Sequence, residues 1–407
     1  MTDTRWDIIL AGSGLSGLTL ALECAKRPFF RDKKILLLDR DEKTKNDRTW
    51  CFWAASGEPL PPVVFRSWDK CLFFGKQVES SLDIAPYRYH MIRGLDFYRW
   101  ALSELAKSPN ISRRTANIAR IEASAGIVRT DKGDFAGEWI FNSALTDAAV
   151  LPEASASYPH PPFSVAGRGA AIPGVFTRML QHFKGWLIET PRPAFDPAVM
   201  TFMDYRPDQK GETRFAYVLP FSETRALVEF TVFSPALCAA EEYDAELDKY
   251  IRKHLKINDF RVEETEFGVI PMTDYPFPRA KEGRVIRIGT AGGFVKASSG
   301  YAFRRTQRKL RLLADAWERT GAPDPRVLRS GWRYRFYDSV MLRVLLDNAV
   351  SGRDFFSDLF GKLPPQLVFR FLDEDSSILD DIQLLSAPPT WPFFKTALKR
   401  IPVFFDI

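Results

Sequence analysis

One carboxyl stands in a stretch where carboxyls are costly. Residues 225–231 read Arg-Ala-Leu-Val-Glu-Phe-Thr, an apolar strand pattern that carries Glu229. An ionised carboxylate in apolar surroundings must be paired, protonated or turned to water. By the two-residue period of a strand, Glu229 shares a face with Leu227 and Thr231. Two readings follow. Glu229 is an outward residue of a one-sided sheet, or it is an acid pointing into a cavity, where a held proton could be given to a substrate. The second chemistry-bearing stretch is Gly12-Ser13-Gly14-Leu15-Ser16-Gly17, placed between the apolar run Ile8, Ile9, Leu10 and the helical run Leu18, Leu20, Leu22. Gly12 suits a tight turn, Gly14 a close approach of backbone to phosphate, and Gly17 the packing of helix on strand. A second strand, from Lys34 to Leu38, ends in Asp39, an acid at the distance that meets ribose hydroxyls. Strand, turn, helix, strand and acid in this order point to a dinucleotide, with NAD and FAD both open.

Two further stretches invite chemistry. Arg48-Thr-Trp50-Cys-Phe52-Trp53 packs three large aromatics behind a charged loop. It reads equally as a buried aromatic strand and as a wall beside an apolar substrate or a flavin, with Arg48 orienting an acid or a cofactor. Gly289-Thr290-Ala291-Gly292-Gly293 follows the strand from Arg284 and precedes a helix from Tyr301 to Arg319. This second glycine turn returns the chain to the nucleotide domain from the far end of the sequence.

These residues must be positioned by a chain of 407 residues, enough for two or three structural units. The expected class is α/β, α+β overall. Residues 1–84 begin a Rossmann-type domain, 85–165 complete it through mixed segments and a Pro-rich crossover at 151–165, and 281–330 supply its last part. Between them, 166–280 show alternating aromatic-rich strands, read as an inserted antiparallel sheet that binds substrate. Phe215 and Tyr217 lie in this sheet. Residues 331–407 read as helices with a Pro-aromatic tail, either a cap on the two domains or, at some positions, a tunnel mouth and membrane contact.

Composition removes several classes. The net charge of +6 admits an anionic partner, but no nucleic-acid module is present. The densest basic run, from Arg304 to Arg311, has the spacing of a solvated helix face. The 4 cysteines and 4 histidines are scattered, so neither a disulfide framework nor a metal site is expected. No run of 18 apolar residues exists and no leader precedes the first strand, so an intracellular protein, soluble or peripheral to a membrane, is expected.

Several of these motifs resemble the flavin-dependent lycopene cyclases, bacterial lycopene beta-cyclase type. Asn46-Asp-Arg-Thr-Trp-Cys-Phe-Trp53 is similar to the family's most specific signature, and Gly289-Thr-Ala-Gly-Gly293 with Ser298-Ser-Gly-Tyr301 to its second flavin-side motif. The resemblance implies a p-hydroxybenzoate-hydroxylase-like (GR2) fold with non-covalent FAD, active when reduced, NADPH being the expected reductant. It implies that the ψ ends of lycopene, or of other apolar carotenoids, close to β-ionone rings without net redox change. Gly12, Ser13, Gly14, Gly17, Asp39, Arg48, Gly289, Ala291, Gly292 and Gly293 are then expected at the cofactor. Trp50, Phe52, Trp53, Phe215, Tyr217 and Tyr301 are expected around the substrate. The family's acid lies in a Leu-Ile-Glu-Asp-Thr strand. Leu227-Val-Glu229-Phe-Thr231 keeps the first acid as Glu229 and has Phe230 for the second, so a two-carboxylate mechanism is not carried by this strand. A cytoplasmic protein on the inner face of the membrane is implied. The alternatives are a flavin-dependent reductase or monooxygenase on a prenyl lipid, and a non-catalytic flavin- or carotenoid-binding protein. Thr290 stands where many such redox enzymes have Asp. The base of the final deprotonation, one- or two-ended cyclisation and the oligomeric state are open.

Overall fold

A computed structural model describes residues 5–144, 176–275, 277 and 281–405. The Pro-rich stretch expected at 151–165 lies outside the described residues. In chain order the first half holds β1 (Trp6–Ala11), α1 (Leu15–Ala25), β2 (Ile35–Asp39), β3 (Thr49–Ala55), β4 (Arg66–Trp68), β5 (Lys70–Phe74), β6 (Glu79–Asp83), β7 (Tyr87–Arg93), α2 (Gly94–Leu105), β8 (Ile111–Thr115), β9 (Ile118–Glu122), β10 (Ile127–Thr130) and β11 (Gly133–Asn142). Next come β12 (Arg178–Glu189), β13 (Val199–Asp204), β14 (Thr213–Pro220), β15 (Arg225–Ser234), α3 (Ala240–Lys253), β16 (Arg261–Thr273), β17 (Lys281–Glu282) and β18 (Val285–Arg287). The chain ends in helices α4 (Phe303–Thr320), α5 (Trp332–Leu346), α6 (Gly352–Lys362), α7 (Pro365–Leu372), α8 (Ile378–Ser386) and α9 (Thr390–Phe405).

The nucleotide-type sheet runs β17-β18-β11-β1-β2-β8, with β1, β2, β8, β11 and β18 parallel. Its central strands are apolar throughout because both faces are covered. Ile8 and Leu10 pack under α1, α2 and α4, while Ile9 and Ala11 pack on the opposite face with Leu36, Val128 and Ile140. The sheet therefore takes strands from the beginning of the chain and from residues 281–287, with the β-rich region inserted between.

The inserted sheet has seven strands in the order β16-β12-β15-β14-β13-β5-β6, antiparallel except where β13 runs parallel to β5. β5 and β6 come from residues 70–83, so the segment expected as the first nucleotide part is divided between sheets. Their alternation is local, but their partner strand lies more than 100 residues away. β3, β7 and β4 form a small third sheet. One face of the inserted sheet buries Ala226, Val228, Phe230 and Val232 beneath α3. The other buries Phe215, Tyr217, Leu227 and Phe233 against β3, β7 and helices α5 to α7. The C-terminal helices thus cap this second face, which also carries Glu229.

Candidate active site

The first glycine turn forms the expected cradle. Gly12 has φ +106°, a conformation that side-chain-bearing residues rarely adopt. A Cβ on Gly17 would lie 1.9 Å from the Gly12 carbonyl oxygen, so only glycine lets α1 sit this close to β1. A Cβ on Gly14 would project into open space, and Gly14 caps α1 without a side-chain hydrogen bond. That end of the helix is therefore free to face an anion. Asp39 lies beside this turn. Its Oδ2 accepts from the Ser13 amide (2.6 Å) and hydroxyl (3.0 Å), and Lys43 Nζ is 3.3 Å away. Burial alone would raise its pKa, but Lys43 and these donors together hold it low. The second glycine turn, a 3-10 turn over Gly289–Gly292, closes on the first: a Cβ on Gly289 would lie 2.5 Å from Ser16 Oγ. Ala291 is buried there, and Gly292 and Gly293 border a cavity of about 330 Å³ shared with α5 and α9. Two glycine turns meeting at the ends of parallel strands, with an acid beside them, fit a dinucleotide such as FAD.

About Glu229 a different environment is built. Protein encloses the residue, yet its carboxyl still borders open space and is half-buried. Thr231 Oγ1 donates to Glu229 Oε1 at 2.8 Å. The cross-strand neighbour on β14 is Tyr217. Tyr217 and Tyr89 are both hydrogen-bonded to Tyr301, the Tyr89–Tyr301 hydroxyls being 3.0 Å apart. Cys51 and Tyr301 lie close enough to feel the Glu229 charge. Burial pushes all three phenols and the Cys51 thiol above their ordinary values.

A second carboxyl occupies the same site. Glu229 on β15 and Glu266 on β16 both pair in register with Gly185 on β12, the strand between them. Two strand spacings, roughly 10 Å, separate their backbones. Glycine at the middle position leaves the gap that two glutamate side chains cross: a Cβ on Gly185 would lie 2.9 Å from Glu266 Cγ. The carboxyls come within hydrogen-bonding reach of each other. Thr49 Oγ1 donates to Glu266 Oε2 at 2.7 Å, and Glu266 Oε1 has no other donor among the described residues. Burial and then the Glu266 charge push Glu229 up to about 8. Glu266 is also raised, by burial, with Thr49, the Glu229 hydrogen bond and the Arg48 charge opposing. Burial and mutual repulsion thus push both carboxyls toward the protonated form, and the second charge of the pair is disfavoured.

The aromatic signature strand is divided by its own period. Thr49, Cys51 and Trp53 face the carboxyl pair and the cap, where Trp53 stacks on Phe369 (4.6 Å) and meets Tyr301 edge-on (4.7 Å). Trp50 and Phe52 point the other way, onto Phe97, Tyr98 and Phe303 in the nucleotide-domain core. Trp50 and Phe52 thus lie away from Glu229, although the sequence reading placed all three aromatics together. Arg48 acts electrostatically on Glu266. Phe215 is fully buried in the core beside Tyr217 and Phe233. Sequence reasoning missed Glu266, Thr49, Cys51, Tyr89 and Gly185. Glu266 stands in Val-Glu-Glu-Thr-Glu, which reads as a solvated edge, and no local spacing links it to Glu229. A cavity of about 70 Å³ lies beside Glu266, Thr49 and Leu227. The larger cavity near Gly293 touches neither carboxyl, so chemistry rather than size marks the site.

The chain is 24% identical to a lycopene beta-cyclase of Paracoccus sp., over 97% of both chains. It is 23% identical to a lycopene beta-cyclase of Pantoea ananas over 98% of both. A chloroplastic lycopene beta cyclase of Arabidopsis thaliana is 35% identical across 36% of this chain and 31% of its own. Among solved structures, a geranylgeranyl bacteriochlorophyll reductase-like protein of Thermoplasma acidophilum superposes with a TM-score of 0.63 at 12% identity, covering 98% of this chain and 99% of its own. A flavin-dependent brominase superposes with a TM-score of 0.54 at 12% identity, with the same coverage. The fold is therefore that of FAD-dependent reductases and monooxygenases. With the lycopene cyclase protein profile matched over residues 7–398, the chain belongs to the lycopene cyclase family.

Proposed function

We propose that this protein closes the ψ ends of lycopene to β-ionone rings by acid catalysis, an isomerisation of the intramolecular-lyase class with no net redox change. The observation that carries the reading is Glu229: a carboxyl in an apolar strand, enclosed, and kept protonated near neutral pH by burial and by a neighbouring carboxylate. Glu229 gives its proton to the terminal alkene. The cation so formed is attacked by an internal alkene of the same chain, and loss of a proton leaves the ring. Tyr217 and Tyr301 border the acid and Trp53 packs against Tyr301, an aromatic surface that favours a cation without capturing it. The cap of α5 to α7 covers this face with apolar side chains, and with the polyene filling the remaining space water would be kept from the cation, which is then not trapped as an alcohol. Reduced FAD, held by the two glycine turns and Asp39, would supply negative charge for the cation and no net electrons, with NADPH as its source of reduction. The test is anaerobic incubation with lycopene in liposomes, FAD and NADPH in D2O. A product isomeric with lycopene apart from one deuterium per ring is expected, and Glu229→Gln abolishes it. Added hydrogen or oxygen in the product sinks the isomerase reading in favour of a prenyl-lipid redox enzyme.

The substrate dissolves only in membranes, and we infer that α8 and α9 reach one. No helix among the described residues is long and apolar enough to cross a bilayer. Yet α8 exposes Ile378, Leu379 (72% exposed), Ile382 and Leu385, and α9 exposes Trp391 (71%), Phe394, Leu398 and Ile401 at helical spacing. Lys395 and Lys399 are exposed on α9 among them. The apolar face of α9 with its lysines suits the interface of an anionic leaflet, and the exposed aliphatics of α8 extend it, in line with a peripheral enzyme on the inner face of the cell membrane. Trp391→Ala with Leu398→Ala is expected to lower co-sedimentation with anionic vesicles about tenfold or more while leaving the melting temperature unchanged. Unchanged co-sedimentation overturns this assignment.

A further inference from the structure

The geometry points to Glu266 as the positioning residue of the reaction: it forms a one-proton dyad with Glu229, fixes that proton on the reactive carboxyl, and lets the pair take the ring proton back. This rests on the proposed cyclisation. Three observations carry it. Glu229 and Glu266 flank Gly185 in register, so their side chains converge over the one position without a side chain. Glu266 is fastened from β3 by Thr49, which leaves its Oε1 with no donor among the described residues except a protonated Glu229. No lysine or arginine forms an ion pair with either carboxyl among the described residues. Arg48 acts on Glu266 at longer range, so like charge rather than a salt bridge governs the pair.

The proton balance closes on these two groups. At rest the pair carries one proton and one negative charge. The Glu229 O–H bond breaks as the alkene π pair forms the new C–H bond, leaving two carboxylates beside a substrate cation. The second negative charge therefore arises when the cation does, and offsets it. The internal alkene's π pair forms the ring C–C bond. A C–H bond next to the ring cation then breaks, its electrons make the ring double bond, and its proton returns to a carboxylate of the pair. Nothing is oxidised or reduced.

A pH profile reads this directly. The other groups facing the pair are Cys51, Tyr89, Tyr217 and Tyr301, all pushed upward by burial, together with Arg48 and Glu264. The wild-type holoenzyme is expected to lose activity at high pH, when Glu229 ionises, and at low pH, when Glu266 takes a proton. Glu266→Gln removes the repelling charge. It is expected to abolish the low-pH limb, move the high-pH limb down by about one pH unit or more, and lower kcat at least tenfold. Glu266→Asp keeps both limbs with partial activity. Infrared difference spectra of the substrate-free holoenzyme give a second readout: the protonated-carboxyl band lost in Glu229→Gln should titrate at lower pH in Glu266→Gln. Limbs and band that stay in place in Glu266→Gln overturn the dyad, even if activity falls. An active Glu229→Gln instead overturns the cyclisation mechanism beneath it.

Discussion

The two faces of the inserted sheet bury polar groups in opposite ways. Beneath α3, the buried His182 and Asp204 are both matched. His182 sits between the Tyr243 hydroxyl and Ser234 Oγ (2.8 Å), and Asp204 is held by Arg206 and by the Tyr250 hydroxyl (2.7 Å). Donor meets acceptor and charge meets countercharge, which is how structural polar groups survive burial. On the other face, two carboxyls lie side by side, and burial with their mutual repulsion pushes both toward the protonated form. A fold built only for stability would not place like charges there. The satisfied face holds the sheet on its helix, and the frustrated face keeps a proton available.

Substitutions on each face should break that contrast in different currencies. Glu229→Gln is expected to lower cyclisation about 1000-fold or more, within the upper reach of general acid catalysis, with the fold and FAD absorbance retained. Product analysis by chromatography checks it. Asp204→Ala, on the satisfied face, should cost about 3 kcal/mol of stability because it strands Arg206 and Tyr250, without changing which product forms. Chemical denaturation measures the loss.

The pH dependence of stability sharpens the comparison. Glu229 has a folded pKa above its unfolded value, so the folded state binds the proton more tightly. Its contribution is fully present below about 4.5 and is lost as pH rises through about 8. Wild type should therefore lose stability relative to Glu229→Gln across that window, by an amount on the order of a few kcal/mol. Melting temperatures at pH 5 and pH 9 decide it, and a constant difference refutes a buried protonated acid. The smallest effect is expected from Tyr301→Phe. It removes the hydroxyl shared with Tyr89 and Tyr217 but leaves the ring against Trp53. About 1 kcal/mol of stability and less than a tenfold change in rate should follow. A larger rate loss at unchanged stability would move Tyr301 into the proton relay.

Much of this was legible before any coordinates. The glycine turns with Asp39 dictate a parallel sheet ending at a helix N-terminus, because glycine alone tolerates the Gly12 conformation and the approach at Gly17. The alternation around Glu229 dictates that it shares a face with Leu227 and Thr231, and that face is the one turned to the cap. The aromatic signature was less readable. Trp50, Phe52 and Trp53 are neighbours in sequence, but a strand sends alternate residues to opposite sides. Only packing shows that Trp53 faces the site while the other two enter the nucleotide-domain core.

What the sequence by itself determined, then, is whatever depends on neighbours a few residues apart: the nucleotide turn, the strand periods and the face that Glu229 shares with Leu227 and Thr231. The tertiary structure alone decided that Glu266 meets Glu229, that Gly185 leaves room between them, that Thr49 fastens the second carboxyl, and that residues 70–83 join the inserted sheet. Each of these depends on the register of strands far apart in the chain. A one-residue slip of β16 would turn Glu266 to the opposite face, so no local pattern encodes the pair.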